Sequence, residues 1–360
     1  MLIAVTGGSG FLGAHTVARL VRRGVPVRVL ARDPRRVPAA LRPLGADPST
    51  VDVVAGDVTD AAAVARCVAG ADAVLHAAGS YTFDSRYRSE LWRVNAKGTE
   101  VVLSAARRAG AARIVHVSTV GVLFPTTAPV IGPASPVAEP RESYLASKAA
   151  AERIARAHQA EGAPVTITYP PALLGPDDPH RGDQNTRLRD LLRGLMPFWP
   201  QGGLPLGDVR DSARLHESLL TGDQPASGRY FGPGTFLTTA DYLATARAVT
   251  GRRLPAAFLP PRALIPVGRL ADGLQRVWPW TLPAQYGAIY VCANAVPVAV
   301  DAPAGPGGAR PVAETFRDTV AWLHATGHLS DRQAGTAARP VTADAGPGRS
   351  GTGQTQEVLP

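Results

Sequence analysis

The feature that most constrains this chain is an alternation of two periodicities over residues 1–170. Six short runs are apolar at successive positions: LIAVT (2–6), VPVRVLA (25–31), VDVVAG (51–56), ADAVLHAAG (71–79), ARIVHVST (112–119) and PVTITYP (164–170). Between them lie segments with helical spacing at 10–23, 60–69, 88–109 and 142–161. A strand that is apolar at every position is buried on both faces. Strands joined by crossing helices run parallel, because each helix carries the chain back to the same edge. The pattern predicts an α/β fold built on a doubly wound parallel sheet.

The first strand-to-helix junction reads TGGSGFLG, with glycines at 7, 10 and 13. Its placement says more than its letters, since the chain holds 37 glycines. Gly7 permits a tight turn. Gly10 lets a pyrophosphate approach unpaired N–H groups at the helix start, and Gly13 lets helix and strand pack closely. This predicts a Rossmann-type dinucleotide site, with Phe11 and Leu12 in the same turn. The second strand ends VLARDP, so Arg32 comes before Asp33. A guanidinium pairs with a 2′-phosphate, whereas a leading acid would bind ribose hydroxyls. NADP is therefore expected over NAD. Asp57 and Val58 in GDV border the adenine, and Ala77, Ala78 and Gly79 in HAAG lie near the phosphates.

Of 38 basic residues only Lys97 and Lys148 are lysines. Lys148 follows Tyr144 by four positions in YLASK, so both project from one helix face about 6 Å apart along the axis. A free phenol, with a pKa near ~10, is a poor proton shuttle at neutral pH. A neighbouring ammonium favours the phenolate and is expected to lower that value. Lysine is a compact point charge that can also reach a ribose hydroxyl. Ser118 and Thr119 end the fifth strand, at the edge where open α/β sheets bind ligands. One hydroxyl is expected to face the tyrosine and the other to support the turn. Asn95, in the long helix, is expected to hold a water or a backbone kink beside Lys148.

Beyond residue 175 proline and glycine rise and elements shorten. The domain expectation is a dinucleotide-binding domain over 1–175, an irregular substrate lobe with a closing helix over 176–329, and a disordered tail over 330–360. Phe316, Val320 and Leu323 share one face of the closing helix. Tyr81, Phe83, Phe198, Trp199, Trp278 and Trp280 are candidate walls of a substrate pocket.

The formal charge is +9, but the basic residues are scattered, so neither nucleic acid nor a membrane is an expected partner. No apolar run approaches the ~20 residues that span a bilayer. No leader precedes the first strand, and two cysteines make no disulfide framework. A cytoplasmic enzyme acting on a small molecule is expected, with no metal. Helices 88–109 and 142–161 offer faces to a second copy in a homodimer.

These residues together resemble the extended short-chain dehydrogenase/reductase superfamily, the NAD-dependent epimerase/dehydratase-like branch. The resemblance covers about 1–325 and rests on TGGSGFLG, GDVTD, HAAG, VNAKGTE, HVST, YLASK and GPDD. It implies Tyr144 as general acid/base, Lys148 as its partner and ribose ligand, and Thr119 as the catalytic hydroxyl with Ser118 as the fallback. LARDP is similar to dihydroflavonol-reductase-like members, many of which use NADPH. Many relatives carry Arg-Pro after the sixth strand. Here the run is TYPPALLGP, with Tyr169 in the arginine's place and Pro170 bordering the nicotinamide.

Three functions follow as expectations. The first is NADPH-dependent reduction of a ketone or aldehyde of a small hydrophobic metabolite. The second is a nucleotide-sugar epimerase or dehydratase with tightly held NAD, using His180, Arg181, Asn185 and Arg187 on the diphosphate. The third is a non-catalytic dinucleotide sensor, which the intact Tyr144/Lys148 pair argues against.

Overall fold

The protein is described here from a computed structural model that covers residues 1–222, 227–275, 286–299 and 307–338. The chain begins β1 (Ile3–Thr6), α1 (Phe11–Arg22), β2 (Val27–Ala31), α2 (Arg36–Leu41), β3 (Val51–Ala55), α3 (Ala61–Val68) and β4 (Ala73–His76). Next come α4 (Arg88–Leu91), a π-helical turn (Trp92–Lys97), α5 (Gly98–Arg108), β5 (Arg113–Val117), α6 (Ser143–Ala160) and β6 (Val165–Tyr169). The expected helix 88–109 is thus interrupted by a wide turn that carries Asn95.

Later elements are β7 (Ala172–Leu174), α7 (Asp183–Leu192), β8 (Phe198–Pro200), β9 (Gly203–Asp208), α8 (Val209–Thr221), β10 (Gly228–Phe231), β11 (Thr235–Thr238), α9 (Thr239–Thr250) and β12 (Ala257–Leu259). The helices α10 (Pro261–Gln275), α11 (Tyr286–Asn294), α12 (Val312–Ala325) and α13 (Asp331–Ala334) follow.

Seven strands form one sheet in the order β10-β6-β5-β4-β1-β2-β3, and every pairing in it is parallel. This is the doubly wound arrangement that the double-sided apolar strands require. Apolar clusters cover both faces. One contains Val64, Val102, Leu103 and Ile167, and the other Val17, Leu20, Leu75 and Leu219. The order reverses between β1 and β4, so the loops after those strands open a crevice at the C-terminal edge.

The seventh strand comes from residues 228–231, and α8 returns with it to pack on α1. The first domain therefore takes elements from both sides of residue 175. The remaining later elements surround a third cluster that includes Leu188, Trp199, Leu204, Tyr242, Phe316, Val320 and Leu323. All three face residues expected on the closing helix are fully buried.

The tail expectation needs correction at its start. Residues 331–338 form α13 and a 3₁₀ turn, with Ala334 and Ala337 buried in the third cluster. Ser330 and Gln333 form a reciprocal capping box that begins this segment. Residues 339–360 lie outside the described residues, as does most of the expected linker 301–311. Among the described residues, no helix is long and apolar enough to cross a membrane.

Phe316 meets the Tyr242 ring edge-on at 4.8 Å with no exposed surface. Phe316→Ala is expected to destabilise the protein by ~3–5 kcal/mol, the usual range for an emptied aromatic core site. Denaturant unfolding midpoints check this. A loss under ~1 kcal/mol would mean that the lobe does not pack around this ring.

Candidate active site

The glycine turn builds the first wall of the crevice. Gly7 has φ +80°, and a Cβ there would stand 2.5 Å from the Ala78 backbone nitrogen. The loops after β1 and β4 therefore touch only because this residue is glycine. A Cβ at Gly13 would lie 2.1 Å from the Gly7 carbonyl oxygen, so α1 packs against the turn itself. Gly10 differs, because a Cβ there would meet only the Gly7 oxygen, at 3.3 Å. It caps α1 without a side-chain hydrogen bond, leaving the helix N-terminus open. An N-terminus of this kind suits an anion. Phe11 and Leu12 begin the helix, and both are partly exposed.

At the end of β2, Arg32 is exposed and makes no hydrogen bond or ion pair among the described residues. Asp33 turns away to Arg35, which donates to it through its backbone N–H at 3.1 Å and its Nε at 3.0 Å. Those bonds hold the Asp33 carboxyl below its ordinary value. Asp57 accepts from the Thr59 backbone and hydroxyl at 2.9 and 2.7 Å and from Arg93 at 3.3 Å. Val58 beside it is buried against Gly98.

The second wall is α6. Glu142 caps it, accepting from the N–H groups of Tyr144 and Leu145 at 2.9 and 2.8 Å. This fixes the first turn and with it the tyrosine. One turn on, Lys148 is buried, and its Nζ donates to the Val117 carbonyl at 2.7 Å. Asn95 clamps three segments. Its Nδ2 donates to the Ser147 hydroxyl at 2.9 Å and to the Ser80 carbonyl at 3.0 Å, and its Oδ1 accepts from the Ser80 N–H at 2.8 Å. Thr119 caps the following 3₁₀ turn, accepting from Gly121 N–H at 3.3 Å. The Ser118 hydroxyl is buried with no hydrogen-bond partner among the described residues. Pro170 is buried at the end of β6, and its carbonyl accepts from Val120.

The electrostatics of the pair differ from the expected pattern. Burial raises the Tyr144 phenol well above its ordinary value, and the carboxylates of Glu142 and Asp183 push it in the same direction. The ammonium is not among the groups that move it. The reason is placement, since Lys148 is engaged at the end of β5 while the phenol faces the α6 cap and α7. Burial lowers Lys148 to about 8, opposed by Glu152.

Above the phenol lie Tyr81 and Phe83, with ring centroids 4.6 and 6.0 Å from Tyr144 and edge-on geometry. Tyr81 and Asp183 at the start of α7 act on each other electrostatically, and Arg187 one turn on acts on both. Of the other expected walls, Trp199 is core, donating to the Met196 carbonyl at 2.9 Å, and Phe198 faces solvent. Trp278 and Trp280 lie outside the described residues. The sequence reading missed Glu142, Asp183 and Glu152. Only Glu142 left a local sign, an acid two residues before the tyrosine at a helix start.

The family model for the NAD dependent epimerase/dehydratase family matches residues 3–222, more than half of the chain. The chain belongs to that family. It is an enzyme of the extended short-chain dehydrogenase/reductase type. It is 31% identical over 286 residues to sterol demethylase protein B of Methylococcus capsulatus, covering 77% of this chain and 83% of that one. It is 33% identical over 215 residues to a putative dihydroflavonol 4-reductase of Synechocystis, covering 59% and 61%. Its fold matches dTDP-glucose 4,6-dehydratase of Streptomyces venezuelae, solved with NAD, with a TM-score of 0.60, 29% identity and coverage of 72% and 84%. The family implies a nicotinamide dinucleotide. The open helix N-terminus at Gly10 and the close packing at Gly7 and Gly13 fit such a group.

Beneath Lys148, His76 and His116 are register partners on β4 and β5, with ring centroids 5.5 Å apart. Burial lowers His76 to about 3 and takes His116 well below its ordinary value, and the Lys148 charge adds to both. Their folded values lie below the unfolded value of 6.5. The unfolded chain therefore binds protons that the folded chain refuses, and stability is lost as pH falls below 6.5. His116→Leu removes one such group, together with two ring nitrogens that lack partners among the described residues. It is expected to flatten the decline between pH 6.5 and 4.5 by up to ~1.4 kcal/mol per pH unit. Unfolding free energies at three pH values check this, and a slope identical to the native one would refute it.

Proposed function

We propose that this enzyme reduces a ketone or aldehyde carbonyl of a small hydrophobic metabolite, with NADPH as the reductant. The carrying observation is the edge-on packing of Tyr81 and Phe83 against Tyr144. Phe83 is buried and Tyr81 is 45% exposed, so the two rings form one open aromatic wall, which suits an apolar body.

The nicotinamide, when bound, supplies a hydride. The chain's own residues supply the rest. Tyr144 keeps its proton through the neutral range, because burial and two carboxylates oppose its ionisation. It is thus set to donate a proton to a carbonyl oxygen rather than to withdraw one. Lys148, one turn away, is held on the Val117 carbonyl, where its ammonium suits a ribose hydroxyl of the dinucleotide. The Thr119 oxygen already accepts from Gly121, which leaves its own proton free for the substrate. We assign Thr119 as the orienting donor, with Ser118 beside it. Asn95 holds α6 to the loop after β4 and so keeps Tyr144 against its aromatic wall.

The cofactor preference rests on Arg32. With Asp33 drawn to Arg35, the end of β2 presents a guanidinium and no free acid. Arg32 and Arg93 both bear on Asp57, and two cations near the end of β2 support a 2′-phosphate-bearing dinucleotide. The nucleotide-sugar reading needs four polar residues to converge. Instead Arg181 donates to His328 at 3.1 Å, and Asn185 is bound to the Gly175 carbonyl and Asp178. Of the four, Arg187 alone acts on the Tyr81–Asp183 pair.

A panel of aldehydes, ketones and nucleotide sugars, followed by NADPH oxidation, tests the substrate class. Turnover only with nucleotide sugars would overturn the reading. Tyr144→Phe is expected to lower kcat by ~10²–10⁴-fold, the usual worth of a positioned acid, with the Kd for NADPH nearly unchanged. Surviving turnover would exclude this mechanism. Arg32→Ala is expected to lower the ratio of NADPH to NADH affinity about tenfold, the loss of one charged contact. Equal affinities in the native protein would remove the case for NADPH.

A further inference from the structure

Glu152 is fully buried, although carboxylates almost never are unless paired. It sits on α6, four residues after Lys148 and on the same face. One of its oxygens is fully engaged. Oε1 accepts from the Tyr169 hydroxyl at 2.6 Å and from Arg156 Nε at 2.9 Å. Arg156 also donates to the Tyr169 oxygen at 3.1 Å and to the Ser135 carbonyl at 3.2 Å. The other oxygen, Oε2, is buried and has no hydrogen-bond partner among the described residues.

A buried carboxylate with one free oxygen is costly unless a positive charge lies within range. Arg156 is held on the Oε1 side and is partly exposed. Lys148 is one turn back, and Glu152 acts on its charge. We propose that Glu152 is a positioning residue, the counter-charge that keeps the Lys148 ammonium charged on the Val117 carbonyl, one helical turn from Tyr144. This rests on the reading of Tyr144 and Lys148 given above.

The groups around Lys148 leave Glu152 this role. On the strand side, His76 and His116 are neutral: His76 is bonded to the hydroxyls of Thr6 and Thr99, and the His116 ring nitrogens have no partner among the described residues. On its own helix the residue one turn back is Tyr144, whose hydroxyl is uncharged. Burial alone would push the ammonium toward deprotonation at mildly alkaline pH, and Glu152 opposes that. Tyr169 and Arg156 in turn fix the carboxylate, so that it cannot swing out to solvent.

The test is the pH profile of kcat/KM for carbonyl reduction by the full-length enzyme. Glu152→Gln keeps the shape and removes the charge. It is expected to move the alkaline limb down by about one pH unit, which is a roughly tenfold loss at pH values above the new limb. Arg156→Met removes the opposing cation and keeps the carboxylate, so its limb is expected to move up. This arm is independent and uses a partly exposed side chain, so it decides the matter even where Glu152→Gln does not fold. Tyr169→Phe removes a hydrogen bond but no charge. It is expected to lower Tm and leave the limb in place.

Limbs that stay put in both charge variants would overturn the proposal, as would a Tyr169→Phe limb that moves as far as that of Glu152→Gln. The underlying mechanism fails separately. If Tyr144→Phe retains turnover the reaction reading is wrong, whereas an inactive Tyr144→Phe with unmoved limbs refutes the role of Glu152 alone.

Discussion

A single buried hydrogen bond, from the Lys148 ammonium to the Val117 carbonyl, organises the site. An ammonium taken out of water is expensive unless it is bonded and balanced. This one joins the middle of α6 to the last residue of β5. It therefore fixes the helix that carries Tyr144 against the strand that leads into Ser118 and Thr119. Its surroundings answer to it. The histidines beneath are neutral, and a carboxylate follows one turn later. In a chain that uses arginine almost everywhere else, a planar five-donor fork would not fit where one point charge meets one carbonyl oxygen.

The parallel sheet and the later lobe meet near Tyr144 as well as where α8 is bonded to α12, through Arg210 and Asp318. The loop after β4 carries Tyr81, which packs on Tyr144 and lies within electrostatic reach of Asp183 of α7. An element of the later lobe thus comes within reach of Tyr144 through one intervening ring. The lobe also returns β10 and α8 to the sheet and its flanking layer, so neither part is a simple consecutive block of chain. A change at Asp183 in the lobe alters the environment of the Tyr144 phenol directly.

What the sequence disclosed follows from how local each signal is. Strands buried on both faces read as apolar runs, and the glycine turn and the tyrosine–lysine pair are short-range patterns on one helix or one loop. The sign of the perturbation on Tyr144 was not legible, because it comes first from burial, which depends on how distant segments pack, and then from the carboxylates of Glu142 and Asp183. The fates of Phe198 and Trp199 were not legible either. They are neighbours on a short strand, so one faces solvent and the other the core, and composition does not say which. Residues 331–338 read as tail because Ala334 and Ala337 are small, yet small side chains are what a close contact with α9 and α12 admits. The helix at 88–108 shows correct overall periodicity, while the π turn that aims Asn95 leaves no periodic trace.

Tyr169 ties these threads together. Relatives of this type commonly place arginine before the proline that ends the sixth strand, and here a phenol stands there. The positive charge has not vanished from the neighbourhood. Arg156 reaches the same carboxylate from α6, and Tyr169 donates to it from the strand. Lys148, Glu152 and Arg156 then follow at four-residue spacing on one helix face, positive, negative, positive. A cation on β6 would bind the carboxylate to the sheet, whereas a cation on α6 binds it within the helix that also holds Tyr144 and Lys148. The charge balance of Lys148 is in this way set by a single rigid element, and strand β6 contributes only a neutral hydrogen bond to it.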